Sequence, residues 1–299
     1  WSIYAGLTGA LIILLMLGGM DVFDSICHAF ATTGTGGFST KQASIEYYHS
    51  PYIEYVISIF MFVSGINFTL LLLFVNGKFR KFIHDAELKW YLWSVIGFTA
   101  FIAIVLYYNS SMGVEEAFRK SLFQVASLHT STGFATADYM TWPSVLWGTL
   151  TVIMIIGACA GSTTGGMKCI RLLILAKISR NEFKHITHPN AVLPVRVNKQ
   201  VISPSIRSTV LAFSFLYAVL IIVGTLAMMG MGVGLLESLG CTISSLGNMG
   251  PGLGLCGPAY SWNELPDMGK WLMSFFMLLG RLELFTVLLL FSSDFWKKN

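Results

Sequence analysis

Six stretches of the sequence, at about 3–20, 52–75, 90–108, 144–160, 207–230 and 271–293, are apolar over close to the ~20 residues that a helix needs to cross a bilayer. No other feature narrows the possible folds so far. Hydrocarbon offers no partner to a backbone amide, so each crossing has to satisfy its own polar groups, as an α-helix does. Composition agrees. Of 299 residues 11% are charged and 55% hydrophobic, with a mean hydropathy of +0.68, against roughly 25% charged in soluble domains. The chain reads as an all-α polytopic membrane protein rather than one large or two small soluble domains. The first span is too long for a signal-peptide core and lacks a basic start or a cleavage site. Trp1 is not an initiator, so a fragment or trimmed product is expected.

Charge is distributed unevenly. The linkers 77–90 and 177–207 hold four and six Lys or Arg, and the tail adds Lys297 and Lys298. The other side carries only Lys41, Arg119, Lys120 and Lys270. The positive-inside rule therefore puts both linkers and the C-terminus in the cytoplasm. Neither basic linker interleaves aromatics as a single-strand nucleic-acid platform would, so no nucleic-acid partner is expected. The cysteines, at 27, 159, 169, 241 and 256, are odd in number and form no CxxC pair. Neither a disulfide framework nor a zinc site is expected from them.

Between the spans one phrase recurs: "TTGTGGFST" (32–40), "HTSTGFATADY" (129–139) and "SSLGNMGPGLG" (244–254). With Gly37, Gly133 and Gly250 as anchors, a serine lies twelve residues before each, at Ser25, Ser121 and Ser238. A further glycine follows 28, 28 and 30 residues later, at Gly65, Gly161 and Gly280. Three matches in register mark an internal repeat of span, short segment, polar glycine loop and span. The short segments, about 23–33, 117–129 and 235–245, cannot cross the bilayer at 1.5 Å per residue. Acidic residues at or near their starts (Asp21, Asp24, Glu115, Glu116, Glu237) suit the positive end of a helix. Each reads as a half-membrane helix whose negative end points at a glycine loop.

Non-helical backbone at that depth is tolerated where it lines a water-filled cavity. A dehydrating cation needs several oxygen ligands, and backbone carbonyls with Thr or Ser hydroxyls supply them without a charge that would trap it. Successive inward carbonyls strain ordinary residues, and glycine relieves that strain. Thr35, Gly36 and Gly37, then Ser131, Thr132 and Gly133, then Asn248, Met249 and Gly250 fit this requirement as walls of one ion filter. For any single loop, an ordinary membrane turn is the competing reading. Three in register favour the filter.

The three loops, "GSTTGGMK" (161–168) and "GRLELF" (280–285) resemble the Trk/Ktr/HKT superfamily of cation transporters, and "HPNAVLPVRV" (188–197) with "NMGPGLG" resembles its TrkH branch. The resemblance covers essentially the whole chain. It implies M1–P–M2 units with re-entrant pore loops, arranged pseudo-fourfold around a potassium pathway. It also implies K+ as the transported ion with no organic cofactor, a homodimer, and a cytoplasmic TrkA-type nucleotide-binding regulatory subunit. Three of the four units are present, as residues 1–82, 83–188 and 189–299, matching the second to fourth of the family by order and motif. Three units do not close a fourfold filter, so truncation or a partner supplying the missing quarter is expected.

Four glycines and three hydroxyl residues interrupt the fourth span over 157–167. Glycine costs about 1 kcal/mol relative to alanine in a helix, so a continuous helix is not expected there. The stretch does not make a phosphate-binding loop: Met167 intervenes before Lys168, and Cys169 replaces the hydroxyl residue. A mobile plug built of Gly161, Ser162, Thr163, Thr164, Gly165, Gly166 and Lys168 is what the resemblance implies; a kink for close helix packing is the competing reading. Arg281, deep in the last span, either pairs with a neighbouring span or sits beneath the filter and repels cations, as the resemblance favours. His28 and His129 read as packed or hydrogen-bonded residues. Potassium uptake through a gated filter, with no enzymatic activity, is the expected function. A sodium-permeable pathway, a membrane nucleotide-binding enzyme built on 157–171 and a non-conducting regulatory fragment stay open as alternatives.

Overall fold

The computed structural model describes residues 1–291 and 293–297; Lys298 of the basic tail lies outside them. The order helix, short helix, glycine loop, broken helix occurs three times. The first round is α1 (Ser2–Leu17), α2 (Val22–Thr33), and then α3 (Pro51–Ser64) with α4 (Phe68–Val75). After the short α5 (Phe79–Ile83), the second is α6 (Ala86–Asn109), α7 (Val114–His129), and then α8 (Ser144–Ile156) with α9 (Cys169–Thr187). A two-residue-per-strand hairpin, β1 (Arg196–Val197) and β2 (Gln200–Val201), leads into the third. That round is α10 (Pro204–Gly230), α11 (Leu235–Gly247), and then α12 (Asp267–Arg281) with α13 (Leu284–Leu289), before the terminal α14 (Ser293–Trp296).

The long helices start where local chemistry allows it. Asp85 caps α6 by accepting from the Leu88 amide at 2.9 Å, and Ser203 caps α10 with Pro204 in its first turn. Their 24 and 27 residues give lengths of about 36 and 40 Å, enough to cross the hydrocarbon. By length and composition these two helices can span, and a third span results if α3 and α4 count as one. The helices α2, α7 and α11 (12, 16 and 13 residues) each pack against the helix before them.

Two expected spans are not continuous. The stretch 52–75 turns by 102° between α3 and α4. At the turn Gly65 lies against the Tyr91 hydroxyl, where a β-carbon would not fit. Asn67 caps α4 by accepting from Thr69 N at 2.8 Å. The stretch 271–293 breaks between α12 and α13, where Glu283 adopts φ +62°. With the expected interruption after Ile156, every second helix of the repeat is broken at the same relative place. Gly65 and Asn67 at the first break, and Arg281 and Glu283 at the last, are single residues in otherwise apolar runs, too few to mark a break from the sequence.

The disulfide expectation is corrected. Cys241 of α11 is bonded to Cys256 in the loop after the third glycine segment, fifteen residues on. That spacing belongs to no motif; tertiary packing brings the pair together. The loop folds back so closely that a β-carbon on Gly240 would collide with the Leu253 amide. Trp142 is 5% exposed and packs edge-on to buried Tyr139.

The core runs along α7, whose Phe123, Val125, Ala126 and Leu128 are wholly buried. It extends between rounds of the repeat, because α3 packs against α7 and α8 packs against α11. The second helix of one round thus rests on the short helix of the next, which arranges the glycine loops around a common axis.

Candidate ion filter and inner loop

The three glycine segments share one backbone course. Thr35, Ser131 and Asn248 are left-handed (φ +51°, +55° and +53°), and so are Gly37, Gly133 and Gly250 (φ +66°, +82° and +95°). Their amides turn back to the end of the short helix that precedes them. Gly36 and Gly37 donate to Ala31 O, at 2.7 and 3.3 Å. Thr132 and Gly133 donate to Ser127 O, at 2.8 and 3.3 Å, and Met249 to Ser244 O at 3.0 Å. Each amide so directed sends the neighbouring carbonyls the other way. Among the described residues, the nine carbonyls of Thr35–Gly37, Ser131–Gly133 and Asn248–Gly250 accept from no protein donor. A carbonyl without a donor needs water or a cation.

The segments adjoin in ring order. A β-carbon on Gly37 would collide with the Thr132 carbonyl, and one on Gly133 with the Met249 carbonyl. A β-carbon on Gly250 would meet nothing within 4 Å beyond its chain neighbours. A cavity of about 760 Å³ is lined by residues of all three segments, by Pro258, Tyr260 and Trp262 from the loop after the third, and by Arg281.

Beyond one end of the segments lies the loop 157–168, between α8 and α9. It touches two of them directly. The Thr163 carbonyl accepts from Thr35 Oγ1 at 3.0 Å, and Thr163 Oγ1 donates to Thr33 O at 3.3 Å. Gly165 lies so close to the Gly247 carbonyl that a side chain would not fit. Arg281 donates to the same Thr163 carbonyl at 2.7 Å. The sequence suggested two separate obstacles, a fixed charge and a loop; the structure ties them to one oxygen. Glu283 pairs instead with Arg171 (3.1 Å) and, more loosely, with Lys168 (3.9 Å), while Arg171 stacks over Phe213.

The other edge of the loop is held by the bend between α3 and α4. Cys159 N donates to Gly65 O and Phe68 N to Gly161 O, both at 3.1 Å. Glu87, in the first turn of α6, is 6% exposed and accepts from Ala160 N at 2.6 Å. Sequence reasoning missed Glu87, Gly65 and Asn67 as partners of the loop. The available signal was an acid just inside an apolar span and a Gly–Asn pair in the middle of another.

Both histidines are packed and bonded as expected. His28 bridges Asp24 O (2.7 Å) and Ser39 Oγ (2.9 Å), and His129 meets Ser94 Oγ at 2.8 Å. At the start of α2, Asp24 gathers Thr40 (2.6 Å), Tyr48 (2.7 Å) and Lys41 (3.1 Å) from the segment after the first glycine loop. The Thr40 and Tyr48 hydroxyls, with Lys41, hold its carboxyl down at about 2 against the effect of burial.

The model of a family described as a cation transport protein, TrkH, matches residues 11–298. The chain belongs to the TrkH family. It is 37% identical, over its whole length, to the Trk system potassium uptake protein TrkH of Escherichia coli K12, and 36% identical to that of Halomonas elongata. Each TrkH relative is longer: the chain spans 62% of their length. The Trk system potassium uptake protein TrkG of Escherichia coli K12 is 36% identical over 99% of the chain and 61% of its own length. The crystal structure of the potassium transporter TrkH from Vibrio parahaemolyticus superposes with a TM-score of 0.94 and 34% identity, over 99% of this chain and 64% of that one. The fold expected from the resemblance, repeated helix–short helix–helix units around an axis, is the TrkH fold.

Proposed function

We propose that the chain forms three walls of a potassium pathway across a bacterial inner membrane, closed on the inner side by the loop 157–168 together with Arg281. One observation carries this reading: nine donor-free carbonyls on three copies of the same left-handed backbone course, with eight of the nine residues lining one cavity. Rings of carbonyls replace the hydration shell of a cation, and the short helices direct their negative ends at the same axis. The relatives are named as potassium uptake proteins and a potassium transporter, which supports K+ as the ion and a transporter, rather than an enzyme, as the activity. The filter is Thr35–Gly37, Ser131–Gly133 and Asn248–Gly250, and the open side of Gly250 is where a fourth wall completes it.

The gate residues are Gly161, Ser162, Thr163, Thr164, Gly165, Gly166, Lys168 and Arg281. A cation passing ~6 Å from Arg281 would meet about 3 kcal/mol of repulsion at an effective dielectric near 20, which slows flux without sealing the path. The loop supplies the rest. The units are 1–82, 83–188 and 189–299, the basic linkers face the cytoplasm, and the assembly is a homodimer with a TrkA-type regulatory subunit as partner. Rubidium uptake into proteoliposomes, with sodium alongside, tests the reading. A purified protein that binds and turns over a nucleotide but passes neither ion would overturn it.

A further inference from the structure

The loop 157–168 is not uniformly held. Cys159 N and Gly161 O are bonded to the bend between α3 and α4, and Ala160 N to Glu87. At its far end Met167 N donates to Ile155 O (3.3 Å) and Cys169 N to Ala158 O (2.9 Å), closing the base of the loop on itself. Among the described residues, the amides of residues 161–166 donate to no protein acceptor. The stretch is bounded by Gly161 and Gly166, both left-handed (φ +73° and +76°). It is a flap on a pinned base, and its tip carries the Thr163 carbonyl that meets Thr35 and Arg281.

Glu87 is the only side chain among the described residues whose carboxylate bonds that base. It reaches in from α6, is almost fully buried, and faces the Ile170 amide at the start of α9 as well as Ala160 N. It therefore spans the two edges of the interruption. Its oxygens face the positive end of α9, which favours that placement. A buried carboxylate is costly unless its oxygens are bonded, so leaving it there needs a compensating role.

We propose that Glu87 is a positioning residue for the inner loop: it fixes residues 159–161, so that only 162–166 move, and thereby holds the loop tip under the filter. The inference rests on the gate reading above, but its test does not require flux. Ser162→Cys, introduced into the membrane-inserted protein, is labelled with an impermeant thiol reagent in inside-out vesicles, with the unsubstituted protein as background. Adding Glu87→Gln keeps the shape but replaces an acceptor oxygen with a donor, and Glu87→Ala removes both acceptors. Labelling at position 162 is expected to rise about tenfold or more in Glu87→Ala, which leaves buried amides unpaired, and by less in Glu87→Gln, which keeps one acceptor. Glu87→Asp, which keeps the charge on a shorter side chain, restores part of the protection. Unchanged labelling in both Gln and Ala variants that remain monodisperse overturns the proposal.

Amide hydrogen exchange on the unsubstituted protein gives a second arm in case the variants do not fold. The Ala160 amide is expected to exchange at least a hundredfold more slowly than those of 162–166; equal rates overturn the proposal. Rubidium flux measured on the same vesicles separates the two ideas. Faster labelling without faster flux upholds the role of Glu87 and removes the gate reading.

Discussion

At the scale of single residues, glycine matters where backbone must lie against backbone. Gly37 and Gly133 combine positive φ with a neighbouring carbonyl where a β-carbon would sit. Serine there pushes the next wall of the ring outward, and Gly250→Ser introduces strain through φ alone. We expect each substitution to lower the ratio of rubidium to sodium uptake, by about an order of magnitude at Gly37 and Gly133. An unchanged ratio in all three would remove the filter assignment. Asp24 offers a test with a definite sign. Its folded carboxyl titrates at about 2, below the ordinary value near 4, so its contribution to stability is complete above about pH 4 and is lost as pH falls towards 2. Thermal midpoints should fall over that window and do so less in Asp24→Asn. The anchoring glycines were legible because three copies kept the same spacing. Glu87 and the pairing of Cys241 with Cys256 were not, because neither leaves a periodic trace along the chain.

At the scale of elements, the short helices and glycine loops could be read directly, since their length is wrong for a span and their ends are polar. The bends at 65–67 and 282–283 could not. An apolar run has the same composition whether it crosses straight or folds back, and hydrogen bonds to distant residues decide which. The loop 157–168 was legible as an interruption, but its attachment to Arg281 was not. That attachment changes what Arg281→Ala should do. Besides removing about 3 kcal/mol of repulsion, it takes away one of the two donors to the Thr163 carbonyl, leaving Thr35, and loosens the loop. We expect rubidium flux into liposomes to rise in Arg281→Ala and to rise further when residues 162–166 are deleted. A deletion that inserts and conducts no more than the parent would show the interruption to be a packing kink. The Cys241–Cys256 bond closes a loop of fifteen residues, worth about 3 kcal/mol by chain entropy. Replacing both with serine should lower the thermal midpoint measured without reductant.

For the whole molecule, ring order follows from the rule that each second helix packs on the next short helix. The sequence repeat implied such an arrangement, though not which face met which. Orientation is testable without flux: cysteines introduced at 185–190 should react with impermeant reagent from the cytoplasmic side, and those at 258–262 from the other. The opposite pattern would reverse the direction assigned to the pathway. The bend between α3 and α4 also has a consequence for how the protein is made. Its freed groups at Gly65 and Phe68 bond to residues 159 and 161, which leave the ribosome more than ninety residues later. At ~5–20 residues per second, that is about five to twenty seconds during which the partners do not exist. Unpaired backbone in hydrocarbon costs several kcal/mol, so the nascent segment 51–75 should enter the bilayer as one straight helix and break only when the later loop arrives. Biogenesis would then include a late remodelling step, and a nascent chain stalled near residue 110 would carry an unbroken helix where the finished protein has a corner.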